Sequence, residues 1–241
     1  KKGYGELLIR KSQGNTSFYE FNKNLSSKFP YLDRFEVVDR VKVKTDTLDN
    51  LLIQNKFSDI DFLKIDVEGA ELDVLKGGVK TISNGLFGVL IEVRFIQFYK
   101  NSPLFSAVDK YLTDHNFQLF DLNRIYYKRE IGTGKGLLKG QLGAADALYF
   151  LCPNKFIEIC NELYDDENRK NKLIRALKIC MVYGYYDFAS ELLFKSKQYF
   201  SKNEYDIYKH YINGIYSLSE KMPNFMGKSY LHKILSRFAN I

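Results

Sequence analysis

Apolar and polar positions follow two regimes along this chain, and the change falls near Pro153. Before it, short apolar runs of strand length alternate with stretches of helical period. Gly5 to Arg10 and Ser17 to Phe21 alternate well enough to predict a strand pair around the turn signal Gln13-Gly14-Asn15. Residues 22–36 are mostly polar and read as loop. Val37 to Val43 alternates as a strand, and Thr47 to Gln54 reads as a short helix capped by Asp46 or Thr47. Ile60 to Ile65 reads as a short buried apolar strand, the central one of the sheet, followed by a helix from Glu71 to Asn84 that glycines and Ser83-Asn84 close. Leu86 to Phe95 is almost wholly apolar, as a parallel strand covered on both faces should be. A helix over Pro103 to His115 carries the stripe Phe105, Val108, Tyr111 and Leu112. Phe117 to Leu122 and Ala145 to Cys152 complete the sheet as an antiparallel terminal pair. Strands alternating with helices make residues 1–152 an α/β domain.

After Pro153 no strand pattern remains, and four or five amphipathic helical stretches follow. Ile174, Leu177, Cys180 and Met181 share one face, and Phe188, Leu192 and Leu193 share the next. Tyr183-Gly184-Tyr185-Tyr186-Asp187 joins them as a tight hairpin that, with Ala189, faintly resembles a tetratricopeptide unit. One such unit needs neighbours to bury its faces. Tyr205, Tyr208, Tyr211 and Ile212 read as core. Residues 153–241 are therefore an all-helical appendage, suited to homo-oligomer contacts or partner docking.

The chemistry is concentrated in Asp61-Phe62-Leu63-Lys64-Ile65-Asp66-Val67-Glu68-Gly69-Ala70-Glu71. An apolar strand ends here in an acidic turn and enters a helix at once. Ligands of open α/β sheets bind beyond the carboxyl ends of strands, which makes the cluster a site candidate. A lone acid at this place would be read as a helix cap. Asp66, Glu68 and Glu71, three carboxylates within six residues around one glycine, exceed what a cap needs.

The same residues carry a resemblance. Lys64 to Glu71, followed by Val74-Leu75-Lys76-Gly77-Gly78, resembles the signature of the FkbM family of methyltransferases. Val41 to Leu52 resembles that family's strand entering a Thr-Leu-Asp turn and short helix. Val89-Leu90-Ile91-Glu92-Val93 with Tyr99 is similar to its next strand, and Val108 to Leu112 and Phe117 to Leu122 continue in the family's order. The resemblance covers roughly residues 3–152. It implies the C-terminal part of a Rossmann-like class I methyltransferase sheet, with S-adenosyl-L-methionine as cofactor and a hydroxyl of a saccharide or secondary metabolite as acceptor. It also implies site roles: Asp66 at the pocket floor near the cofactor or acceptor, with Glu68 and Glu92 as general base or hydrogen-bond acceptors. Thr16 and Ser17 stand where the family has a hydroxyl-rich turn near the cofactor.

The departure from that pattern is equally specific. Such a fold begins with a strand ending in a glycine-rich turn, then a second strand ending in an acid for the ribose hydroxyls. This sequence opens at Lys1-Lys2-Gly3-Tyr4-Gly5, which resembles the hairpin after the third strand. About two βαβ-sized units of ~30 residues are expected ahead of it, and the missing initiator Met points the same way.

Composition narrows the remaining classes. The net charge of +7 is spread along the chain, and most of the 18 Tyr and 19 Phe fall at helix or strand spacing. A nucleic-acid binder is not expected, while an anionic substrate is compatible with the charge. No apolar run approaches the ~20 residues of a membrane-spanning helix. Cys152, Cys160 and Cys180 are odd in number and lack metal spacing, so they read as buried free thiols of a cytoplasmic protein. Gly132-Thr133-Gly134-Lys135-Gly136 lacks P-loop spacing. Its loop reads equally as a lid offering Lys135 and Lys139 or as a plain hairpin connection. His115 reads as a helix terminus, and His210 and His232 have no catalytic partner. No further acids complete a metal site, and none is assigned. Two readings stand beside the methyltransferase: a noncatalytic scaffold that keeps part of the fold, and a different α/β enzyme such as a sugar-handling one.

Overall fold

The computed structural model describes residues 2–25, 28–30, 32–57, 59–132 and 139–220. The fold divides into two compact units, Lys1–Cys152 and Pro153–Ile241.

In the first unit, β1 (Gly3–Arg10) pairs antiparallel with β2 (Val37–Thr45), Leu7 opposite Val41. This corrects the expected pairing of β1 with Ser17 to Phe21, of which only the isolated bridge Leu8–Ser17 forms among the described residues, while Phe21 bridges to Tyr99. The reason is non-local. Arg10 is 1% exposed and donates from Nη1 to the Phe35 carbonyl at 2.7 Å and from Nη2 to the Tyr19 carbonyl. Two distant backbone acceptors are thereby tied to the end of β1. Phe21, Leu25, Phe29 and Phe35 then bury against Ile96, Phe98 and Tyr99, with Phe21 stacked on Phe35 at 4.6 Å. Residues read as polar loop are thus the source of a second aromatic core. Burial of each such ring contributes roughly 1.5–3 kcal/mol, more than local alternation can offset.

Thr47 caps α1 (Leu48–Gln54) by accepting from the Asn50 amide, as its sequence predicts. The chain then forms β3 (Phe62–Ile65), α2 (Glu71–Gly77) and α3 (Val79–Ser83). One continuous helix was expected across the last two. It breaks at Gly77-Gly78 because α1 packs there: a Cβ on residue 78 would lie 2.8 Å from Leu48 Cδ2. Asp49 of α1 accepts from the Lys80 and Thr81 amides at 3.0 and 2.9 Å, supplying partners that the break leaves unmatched.

Then come β4 (Gly88–Arg94), α4 (Phe105–Asp114), β5 (Phe117–Tyr127) and β6 (Gln141–Leu151). The mixed sheet runs β3-β4-β6-β5, with β3 and β4 parallel and the other neighbours antiparallel. β5 and β6 are an antiparallel pair, longer than their apolar pattern suggests. Val89, Ile91, Val93, Val108 and Leu112 fill the core beside this sheet. Of the two lid lysines, Lys139 is exposed and Lys135 lies outside the described residues.

The second unit contains α5 (Pro153–Leu163), α6 (Asp166–Val182), α7 (Tyr186–Lys195) and α8 (Lys202–Glu220). Asp165 caps α6 through the Asn168 amide at 2.8 Å, and Gly184 closes the α6–α7 turn with φ 84°. The buried stripe of α6 is Leu173, Ala176, Leu177 and Cys180, while Ile174 and Met181 are half-buried. On α8 the expected core stripe splits, since Ile212 is buried and Tyr211 is 64% exposed. The three cysteines are free thiols; Cys160 and Cys180 are buried as expected, Cys152 is only half-buried against that expectation, and burial pushes the Cys180 thiol up to about 12. No helix among the described residues is long and apolar enough to cross a membrane. His232 lies outside them.

Candidate active site

β3 ends at Ile65, and the chain reaches α2 through a turn with two successive left-handed residues, Glu68 (φ 52°) and Gly69 (φ 105°). Glycine is required at the second. A Cβ there would meet Tyr99 Cδ2 at 3.0 Å in a conformation L side chains rarely adopt. Gly69→Ala is expected to cost about 1–3 kcal/mol. Gly14→Ala, which has open space around it, should be near neutral in the same urea titration.

Glu71 satisfies the turn from within. Its carboxylate accepts from the Gly69 amide at 3.0 Å and from the Val67 amide at 3.3 Å. It is 4% exposed, and burial pushes its carboxyl above the usual range despite these bonds. Glu71, the first residue of α2, thus braces the turn ahead of the helix, while the N-cap residue Ala70 makes no side-chain cap bond.

Glu68 meets β4 instead. Its Oε2 accepts from Arg94 Nη2 at 2.5 Å and from the Tyr99 hydroxyl at 2.6 Å. The same Arg94 nitrogen donates to Glu92 Oε2 at 2.6 Å. Arg94 is 4% exposed, so one guanidinium serves two nearly buried carboxylates. Burial pushes the Glu92 carboxyl up to about 8; Arg94 opposes this, and Glu68, Asp66 and Glu71 reinforce it. Burial and neighbouring Glu68 also raise Tyr99, keeping its hydroxyl a proton donor. The Oε1 atoms of Glu68 and Glu92 have no partner among the described residues. Asp66 sits outside this pair with a 45% exposed side chain, 3.3 Å from the exposed Lys64 ammonium.

One oxygen each of Asp66, Glu68 and Glu92 falls within 4.8 Å of the others. A divalent cation can bridge such a group. Arg94 already supplies positive charge to two of the three, and we assign no metal.

The hydroxyls expected near a cofactor are used internally. Ser17 is 1% exposed; its Oγ donates to the Glu68 carbonyl at 2.6 Å and accepts from the Tyr19 amide at 3.0 Å. Thr16 Oγ1 accepts from the Arg10 amide at 3.3 Å. Both hold the loop that follows β1, and Ser17 ties that loop to the acidic turn.

The family profile described as Methyltransferase FkbM domain matches residues 2–119. This segment, just under half of the chain, is similar to a methyltransferase FkbM domain. Among the curated proteins and the solved structures, nothing matches significantly. Within the matched segment lie all the residues just described: Ser17, Asp66, Glu68, Glu71, Glu92, Arg94 and Tyr99. Asp66, Glu68 and Glu92 are brought together as the sequence implied. Arg94 was legible by strand parity, since residues two apart share a face and Glu92 and Arg94 are so spaced on β4. Arg10 gives no such signal, because its partners lie on remote loops.

Proposed function

We propose that the FkbM-like domain is an S-adenosyl-L-methionine-dependent O-methyltransferase acting on a hydroxyl of a saccharide or secondary metabolite. The observation that carries this is the gathering of Asp66 and Glu68, just past the carboxyl end of β3, with Glu92 near the carboxyl end of its parallel neighbour β4, the side on which α/β sheets hold ligands. The donor set fits such a cofactor. Asp66 offers an accessible carboxylate to an ammonium or hydroxyl, and Glu92 keeps one oxygen without a partner among the described residues. The cofactor supplies an electrophilic methyl group on a sulfonium. Glu92, with its raised carboxyl, suits proton exchange near neutral pH, and Asp66 would orient the acceptor or the cofactor's methionine end.

Unfolding of the full chain with and without S-adenosylhomocysteine tests the reading. Ligand at 100 times its dissociation constant is expected to add about 2.7 kcal/mol, and Asp66→Asn should remove most of that gain. Transfer of labelled methyl to a panel of saccharides is expected to follow. No stabilisation at saturating ligand would sink the enzyme reading for these residues and favour the scaffold.

A further inference from the structure

The three clustered acids are not held alike. Among the described residues, Asp66 has one exposed contact, to Lys64, and Glu92 has one hydrogen bond, from Arg94. Glu68 is gripped at both ends: Tyr99 and Arg94 converge on a single carboxylate oxygen, while Ser17 takes its carbonyl. The Tyr99 hydroxyl also lies 3.4 Å from the Asn15 carbonyl, and its ring lies against Gly69. Groups from the loop after β1, from the end of β4 and from the segment beyond it thus meet at one residue. That residue has a left-handed backbone, which glutamate rarely adopts. Charge-assisted hydrogen bonds are the strong kind, and here they fall where the backbone needs holding.

We propose that Ser17, Arg94 and Tyr99 are positioning residues that fix Glu68 as the latch of the acidic turn, while Asp66 and Glu92 are the acids that meet the ligand. The assignment of Asp66 and Glu92 rests on the methyltransferase reading. Glu68 acts through its neighbours: the latch holds φ at 68 and 69, and so sets the place of Asp66 relative to Glu92. Tyr99 contributes through its hydroxyl, and its ring keeps the wall against which Gly69 packs.

Two measurements on the full chain test this. The first is S-adenosylhomocysteine affinity by calorimetry for wild type, Glu68→Gln, Asp66→Asn and Glu92→Gln. An amide oxygen at 68 can still accept from Tyr99 and Arg94, so Glu68→Gln is expected to stay within about threefold of wild type. Asp66→Asn and Glu92→Gln should weaken binding about tenfold or more. The second is amide hydrogen exchange at Val67 and Gly69 without ligand. Tyr99→Phe should accelerate it clearly, and Glu92→Gln should leave it unchanged. Loss of affinity in Glu68→Gln equal to that in Asp66→Asn would mean that Glu68 itself touches the ligand, overturning the division. Unchanged exchange in Tyr99→Phe would overturn the latch. A wild type that binds no S-adenosylhomocysteine defeats the methyltransferase reading, and the exchange measurement still decides the latch.

Discussion

Replacement of Arg94 by methionine is expected to destabilise the first unit by about 3–5 kcal/mol, the usual cost of removing one member of a buried ion group. The loss does not measure the strength of the two bonds. It arises because the Glu68 carboxylate, with a side chain 14% exposed, is left without a counter-charge beside the equally buried Glu92. Methionine keeps much of the stem's volume beside Phe98 and Tyr99, whose ring centres lie 6.0 and 5.7 Å from the guanidinium carbon. A packing loss is thereby kept small, and the electrostatic one dominates. Adding Glu68→Gln and Glu92→Gln to Arg94→Met should restore a large part of the stability, since no buried charge then lacks a partner. Urea unfolding of the series, with hydrogen exchange to separate the two units, reads this out. A mild Arg94→Met variant, or a triple variant no better than the single one, would contradict it.

The second large effect is one of pH. Glu92 holds its proton up to about 8 in the folded protein, against an ordinary 4.5. Between these values the folded state keeps a proton that the unfolded chain has released. Its contribution is therefore fully present below 4.5 and is lost as pH rises through about 8. At about 1.4 kcal/mol per pH unit, the window amounts to roughly 4–5 kcal/mol. Burial sets it first, with Arg94 on β4 opposing and Glu68, Asp66 and Glu71 of the turn reinforcing; Asp146 on β6 is the residue paired with Glu92 in the sheet register. Glu92→Gln should flatten most of this slope while keeping a hydrogen-bond acceptor for Arg94. A residual slope of the same sign is expected from Glu71, also raised by burial. Stability measured from pH 4.5 to 9 in both proteins decides; equal slopes would remove Glu92 as the cause.

The sheet and its acidic turn were legible because their causes are local. An apolar run bounded by Asp66, Glu68 and Gly69 can only be a strand leaving a core into a tight turn, and the helix periods of 48–54 and 105–114 need no distant partner to be seen. Pairing of β1 was misread because alternation says that a segment is a strand and nothing about which strand it meets. Its partner β2 begins 27 residues after β1 ends, and the choice is made by Arg10 and the aromatic rings of the intervening loop. The break at Gly77-Gly78 was missed for a similar reason: two glycines tolerate a helix or end one, and Leu48 and Asp49 on another helix decide.

At the site the division is sharper. The sequence alone determined that carboxylates cluster at the end of a strand, because spacing along one short segment places them there; the structure puts that strand, β3, at the sheet edge with only Ile65 buried. Only the tertiary structure decided what each does, since that depends on burial and on partners far away in the chain. Folding brings Arg94, Tyr99 and Ser17 to Glu68, turns Glu71 onto the Gly69 amide, and leaves Asp66 at the surface. Identical side-chain chemistry thus becomes latch, turn brace or ligand-facing acid, because the dielectric and the available donors differ over a few ångströms.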